Sequence, residues 1–313
     1  MQKLKGNVKS LTETDYLVFG NFEELQKGSL NWKNVYRFDD QGNEIERISY
    51  SPNEDIDGKY TSIYDDKGNL VEKNIYDSDG SLVNKSTYKY DERNNKIEWN
   101  CYNSTDSLFR RVKKYLRHSY KFDENGNEIE ENWHNPFIEL FSKPIVRFTN
   151  RYDLNGSLIE ENWFNLDGSF DSKFTYKYDD RGNKIEWNLY NNHNVLNGKS
   201  AFTYDERGNK LEEIRYNAEG KLDCKFSFRY DENDNEIECS SYNSDEYINE
   251  IHLSSYDDQG NPEKEDWQRF DGTICNKHSF KYDNYDHAGN WLRKTIFHDD
   301  QPVEVIEKEI EYF

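Results

Sequence analysis

The sequence predicts an all-β fold, a continuous antiparallel meander of about 20 strands from ten 26-residue hairpin repeats, curled into an open spiral or shell. Three observations lead there. First, an aromatic-Asp pair recurs along the 313 residues, at Phe38-Asp39, Tyr64-Asp65, Tyr90-Asp91, Phe122-Asp123, Tyr152-Asp153, Tyr178-Asp179, Tyr204-Asp205, Tyr230-Asp231, Tyr256-Asp257 and Tyr282-Asp283. Successive Asp residues lie 26 apart except for intervals of 32 and 30, which place insertions near 110–117 and 136–144. Second, each unit holds two turns of one chemistry, such as Tyr178-Asp179-Asp180-Arg181-Gly182-Asn183 and Phe164-Asn165-Leu166-Asp167-Gly168-Ser169. The Asp or Asn bonds its own backbone and Gly takes the left-handed position, which gives a type I turn closed by a glycine bulge. Third, the segments between turns run to about eight residues, the length of strands and too short for stable helices.

Alternation assigns the two faces. Tyr178 is set opposite Asn183, which predicts Tyr176 facing Ile185 and Phe174 facing Trp187 on an aromatic side. The other side carries Lys177, Thr175 and Lys173 against Lys184, Glu186 and Asn188, with Glu46, Glu72, Glu98, Glu130, Glu160, Glu186, Glu212 and Glu238 at one equivalent position. Midway along the second strand of each repeat, the aromatic side also holds Arg47, Lys73, Glu131, Glu161, Glu213, Glu265 and Lys294. Unpaired charges do not sit in a dry core, so this side is expected to be concave and partly wet. A sheet of about 20 strands twists and curls, and the open spiral ranks above a five-bladed propeller because no 52-residue double period is present. Residues 1–34 lack the repeat and read as an N-terminal capping segment with a strand at Val8 to Phe19. Residues 35–300 hold the repeats, and 301–313 read as a C-terminal edge strand whose charges discourage association.

Composition narrows the function classes. The chain has 41 basic and 62 acidic side chains, a net charge of −21, and no Lys/Arg run longer than two, which argues against nucleic acid as a partner. The 16% aromatic content argues against disorder. No apolar run is long enough for a membrane span, and Met1 to Ser10 has no signal-peptide core, which predicts a cytoplasmic chain as written. Cys101, Cys224, Cys239 and Cys275 follow no disulfide or zinc spacing.

The strings YDDRGNKIEWNLYN (Tyr178 to Asn191), YDERGNKLEEIRYNAEGKL (Tyr204 to Leu222) and forms like FDENGNEIEENW (Phe122 to Trp133) resemble the YD repeats of Rhs and teneurin-type proteins. They are still more similar to uncharacterised Bacteroidetes proteins built from tandem YNSDGSLDSKYTYKYDDKGN units, in which an opening like Leu4 to Ser10 and an ending like Ile306 to Tyr312 also recur. The resemblance covers nearly the whole chain. It implies a hairpin-repeat sheet that, in the larger Rhs relatives, spirals into a hollow shell around a toxin. No toxin domain follows Phe313 and no aspartyl self-cleavage segment precedes it, so a cargo in cis is not expected. The smaller group implies an exported or cell-envelope protein if the sequence is trimmed at its start.

Candidate chemistry is sparse. Acidic turns such as Asp77-Ser78-Asp79-Gly80 resemble calcium loops but lack the distal bidentate carboxylate, and they read as plain turns. His118, His252 and His278 share one repeat position, with Glu265 expected opposite His252 and Cys239 diagonal to it; His in place of Phe on a wet wall is the simpler reading than a metal site. Trp99 and Trp187 share one position and Trp133, Trp163 and Trp267 another two residues on, so these five are the candidate ligand contacts. GxSxG, HExxH, P-loop and Rossmann motifs are all missing. Paired Glu131 and Glu161 invite a glycosidase reading, but they recur with the repeat and serve register first. The expectation is a non-enzymatic scaffold without cofactor or metal, presenting a curved aromatic and acidic sheet for protein binding or encapsulation, with a carbohydrate-binding module as the alternative.

Overall fold

A computed structural model describes residues 4–20, 25–104, 112–134, 146–165 and 167–313. Within them lie 22 strands, from β1 (Val8–Phe19) to β22 (Gln301–Tyr312). Consecutive strands pair in antiparallel ladders, and β1 pairs both with β2 (Gln26–Phe38) and with β22. The meander therefore closes on itself as a 22-stranded β-barrel. The open spiral expected from the repeats is corrected, and β22 is a strand as expected but is not an edge. Its charges, read as edge protection, are instead paired across the closure. Lys308 sits directly opposite Glu13, and Ser10 Oγ donates to Glu311 Oε2 at 3.0 Å. Of the two expected insertions, 136–144 lies outside the described residues, as do 105–111, whereas Val112 already begins β8 (Val112–Phe122).

The turns are as their residues dictate. In the Asp179 turn the Asp179 and Gly182 amides donate to the Asn183 and Asp179 carbonyls at 2.9 and 3.0 Å. The Asp179 carboxylate accepts from the Arg181 and Asn183 amides and from Asn183 Nδ2. Gly182 has φ +86°, where a Cβ would strain the backbone. Asn94, Asn194 and Asp234 take the same left-handed position where Gly is missing, a conformation their short polar side chains tolerate.

The same turn moves the register. Tyr178 pairs with Lys184, a bulge follows, and then Lys177 pairs with Glu186, Tyr176 with Trp187 and Phe174 with Leu189. Beyond the bulge the expected pairing is thus off by two residues. An even slip preserves the faces, so the aromatic and charged sides are as read. On the charged side Glu186 receives Lys177 at 2.8 Å from one neighbouring strand and Lys199 at 2.6 Å from the other, plus Asn188 Nδ2 at 3.0 Å. The Tyr of the repeat motif has its own task, because its hydroxyl reaches the preceding hairpin. Tyr90 donates to Leu70 O at 2.8 Å, Tyr178 to Leu158 O at 2.9 Å and Tyr204 to Lys184 O at 2.8 Å. The last motif departs from this plan. Its turn runs over Asp286 to Asn290, not from Asp283, and Tyr312 donates to Asp286 while accepting from Asn290 Nδ2.

Two compact units divide the chain, one from residues up to His118 together with Ser279 onward, the other from residues between Ser119 and His278. The first contains the best buried side chains. Leu11 and Val305 are fully buried near the β1–β22 ladder, as is Asp15, and Thr295 is almost so.

Candidate functional site

In the second unit the repeat assembles an aromatic row. It starts on β9 (Glu128–His134), β10 (Val146–Tyr152) and β11 (Leu158–Phe164), and continues on β12 (Phe170–Tyr178) and β13 (Lys184–Tyr190). Phe148 pairs with Glu131 on one side and Trp163 on the other, and Phe174 pairs with Glu161 and Leu189. Their rings touch in series. Trp133 and Phe148 meet edge to face at 5.3 Å, as do Phe148 and Trp163 at 4.6 Å, and Trp163 and Phe174 at 5.8 Å and Phe174 and Trp187 at 6.1 Å meet with tilted rings. Such contacts are near the preferred aromatic geometry, so the row is a firm strip. It is also reachable, since Trp163 is 37% exposed.

Two carboxylates line the strip. Trp133 Nε1 donates to Glu131 Oε1 at 2.8 Å, and Trp163 Nε1 donates to Glu161 Oε1. Each indole is thereby fixed in rotation. Glu161 also marks the local field. Burial, and after it the negative charge of Glu161, push the Tyr176 phenol up to about 12. Asn150, opposite Glu161, donates to Glu128 O at 3.0 Å, while its buried Oδ1 accepts from no described group. Lys184 Nζ lies 5.2 Å from the Tyr176 ring at one end of the strip.

Three of the five predicted tryptophans, Trp133, Trp163 and Trp187, therefore come together. The other two do not join them. Trp99, on β7 (Lys96–Ser104), stacks on Tyr88 and lies 4.4 Å from His118, with its buried indole nitrogen donating to no described group. Trp267, on β19 (Pro262–Arg269), stands between His252 at 4.5 Å and His278 at 5.6 Å. Trp267, not Glu265, faces His252 across the ladder, and Cys239 is directly opposite His252 where a diagonal was expected, both effects of the bulge. Burial pushes the Cys239 thiol up, against the ionised form that reactivity would need. No three His, Cys, Asp or Glu side chains among the described residues converge as a metal site. The sequence reading did not name Phe148, and it placed Phe174 on the aromatic side without counting it among the ligand contacts; these two complete the row. Their signal was available, because they occupy the same first-strand position as His118, His252 and His278.

The fold and this strip define a class, a closed antiparallel sheet of β-hairpin repeats with one charged and one aromatic face. Among solved structures the chain is similar to a porin-like protein from Bacteroides uniformis, at 8% identity over 98% of this chain and 99% of that one, with a TM-score of 0.28. A porin-like protein from Bacteroides vulgatus is similar at 14% identity over 98% of each chain, with a TM-score of 0.26. The complex TcdB2-TccC3-TEV is similar at 12% identity over 87% of this chain, with a TM-score of 0.25. This chain spans 19% of that chain's length. No family model and no curated protein matches.

Proposed function

We propose that the protein is a non-enzymatic repeat scaffold whose aromatic and acidic face binds a protein partner. The observation that carries this reading is the unbroken row Trp133, Phe148, Trp163, Phe174 and Trp187. Aromatic anchors with fixed orientation are the side chains that dominate protein recognition. The YD-type spacing supports grouping these repeats with the Rhs and teneurin-type proteins at the level of the hairpin unit. Charge on both faces, in the Glu186 row on one and at Glu131, Glu161 and Glu213 on the other, supports a sheet in contact with water, since lipid-facing charges are costly. Among the described residues no helix is long and apolar enough to cross a membrane.

A second reading is a carbohydrate-binding module. The carboxylates beside Trp133 and Trp163 favour it, because stacked sugar rings carry hydroxyls that such groups accept. One experiment tests both. Peptide and glycan arrays are probed with the protein and with Trp163→Ala and Trp187→Ala. Saturable peptide binding lost in the variants supports the first reading, and glycan binding lost in them supports the second. Hydrolysis of any glycan that disappears in Glu161→Gln overturns the non-enzymatic assignment.

A further inference from the structure

Two neighbouring turns in the second unit carry large apolar side chains that the fold does not use. In the ladder of β18 (Ile248–Tyr256) with β19, Glu250 pairs with Arg269. The turn that leads into β18, Asn243 to Tyr247, and the turn from β19 to β20 (Ile274–Tyr285), Arg269 to Thr273, therefore lie about 10 Å apart at one end of the sheet. Tyr247 is 71% exposed and Phe270 76%, and Ile248 and Ile274 beside them are exposed too. Equivalent turns close with the same backbone bonds over Ser81 or Lys221 where Tyr247 stands, and over Ser78 or Ala218 where Phe270 stands. Turn formation calls for neither ring. The left-handed position is also unusual, since Glu246 holds φ +61° where the turns on either side use Gly220 and Gly272.

The charge around these side chains is mostly of one sign. Asp245, Glu246, Glu250 and Asp271 stand on the two turns and the strand start between them, against Arg269 opposite Glu250. Lys225 lies in electrostatic reach of Glu246 but is bonded to Glu212 at 2.5 Å. The adjoining turn contributes Glu219 and Lys221, which cancel, and Lys277 on β20 has interactions of its own. The patch is left net negative.

We infer that Tyr247, Ile248, Phe270 and Ile274 form a docking surface for a basic amphipathic helix of a partner protein, with its apolar stripe on the two turns and its Lys and Arg beside Asp245, Glu246 and Glu250. Three features select this occupant. β18 is paired along both sides, so a partner strand has no edge to join here. A helix presents side chains seven residues apart at about 10 Å, the separation of the two turns. A net-negative patch on a chain of charge −21 repels a second copy and an anionic lipid surface, and steers a cationic segment toward itself. The surface lies on other strands than the Trp163 row and stands independently of the function proposed for that row.

A fluorescent synthetic helix of about five turns provides the test, with Leu at i, i+3, i+4 and i+7 and Lys elsewhere, beside a version with Glu for Lys and a scrambled version without the apolar stripe. Anisotropy is read with the full chain at low salt and at about 0.5 M salt. The Lys helix is expected to bind, to weaken as salt rises, and to lose about tenfold in affinity with Tyr247→Ser/Phe270→Ser. Ser81 and Ser78 fill the same positions in another turn, so this variant keeps the turn chemistry, and its thermal melt is expected to match the parent. Asp245→Asn/Glu246→Gly is expected to weaken binding about threefold and to flatten the salt dependence. Leu154→Ser, the same kind of change at a fully exposed apolar side chain on a turn of another hairpin, is expected to leave affinity unchanged. Absence of binding, equal binding of the Glu or scrambled helix, or no greater loss with Tyr247→Ser/Phe270→Ser than with Leu154→Ser overturns the inference. Loss with Trp163→Ala alone places the helix on the aromatic row and overturns it too. A dimer in sedimentation, or binding to phosphatidylcholine vesicles, that Tyr247→Ser/Phe270→Ser abolishes would give the surface to another occupant and overturn it as well.

Discussion

Removing the Lys308 side chain should be among the most damaging single changes to the closure. Lys308 is 3% exposed, faces Glu13 across the β1–β22 ladder at 3.7 Å, and lies 3.3 Å from the Trp291 ring centroid. Burial lowers its ammonium from the ordinary lysine value while Glu13 opposes the fall, so its charge is held by that carboxylate and that indole. Glu13 is itself only 12% exposed. Lys308→Ala therefore strands a buried carboxylate and strips the aliphatic stem from its packing, a loss of about 3–5 kcal/mol. The double variant Glu13→Gln/Lys308→Met fills the space without charge and should recover most of it. Urea unfolding followed by tryptophan fluorescence gives the magnitude, and hydrogen exchange on β1 and β22 gives the location. Lys177→Ala is the comparison, because its partner Glu186 lies 2.8 Å away but Lys177 is 66% exposed, a setting worth at most about 1 kcal/mol. If Lys308→Ala costs no more than Lys177→Ala, the buried pair does not hold the closure and the reasoning fails.

Three further outcomes are expected. Asp15 is fully buried, and burial raises its carboxyl above the ordinary value despite donors from Asn31, Trp32 and the Tyr16 backbone. A raised carboxyl stabilises the fold when protonated, fully so below the unfolded value near 3.9, and this contribution is lost as pH climbs through the folded value. Asp15→Asn should thus slow hydrogen exchange along β1 at neutral pH and have little effect near pH 3. Glu186 behaves in the opposite sense. Burial opposes its ionisation, but Lys177, Lys199 and Asn188 outweigh that and bring it down to about 2. Asp286, where burial is likewise outweighed by Tyr312 and Asn290, also falls to about 2. Their contributions are present above the unfolded carboxylate range and drain away as pH falls toward 2, so an acid titration by circular dichroism should show stability declining below about pH 4, and Glu186→Gln should flatten that decline. Finally, Gly182→Ala should cost about 1 kcal/mol although an added Cβ meets nothing within 4 Å, because the penalty lies in φ rather than in contact; a thermal melt unchanged from the parent would contradict this.

The turn and face logic was legible because it is local. Asp179, Gly182 and Asn183 specify their own geometry, and parity then assigns Lys177 and Tyr176 to opposite sides. Counting across the turn gave the wrong partner, since a bulge after Lys177 slides Glu186 into the place expected for Lys184. The last turn escaped for a related reason: Tyr282-Asp283 carries the motif, but Tyr312 and Asn290 hold Asp286 in the role. Closure was illegible because it depends on twist summed over the whole sheet and on complementarity between two strands that stand outside the repeat. Glu307, Lys308, Glu309 and Glu311 read as repulsive until Lys27, Glu13 and Ser10 are placed beside them. The site was half legible. Repeat phase located Trp133, Trp163 and Trp187, while the direct contact of Phe148 with Trp163 and the diagonal one of Phe174 with Trp163 require the register of the folded sheet.

The Phe313 amide donates to the Asn7 carbonyl at 3.1 Å, which puts the end of β22 beside the residues that lead into β1. A ring fastened in this way has no privileged starting point. Joining the ends with a short linker and cutting at any exposed turn, such as Asn191 to Val195, yields circular permutants that keep every ladder, and their yields would rank the hairpins by how much each contributes to assembly.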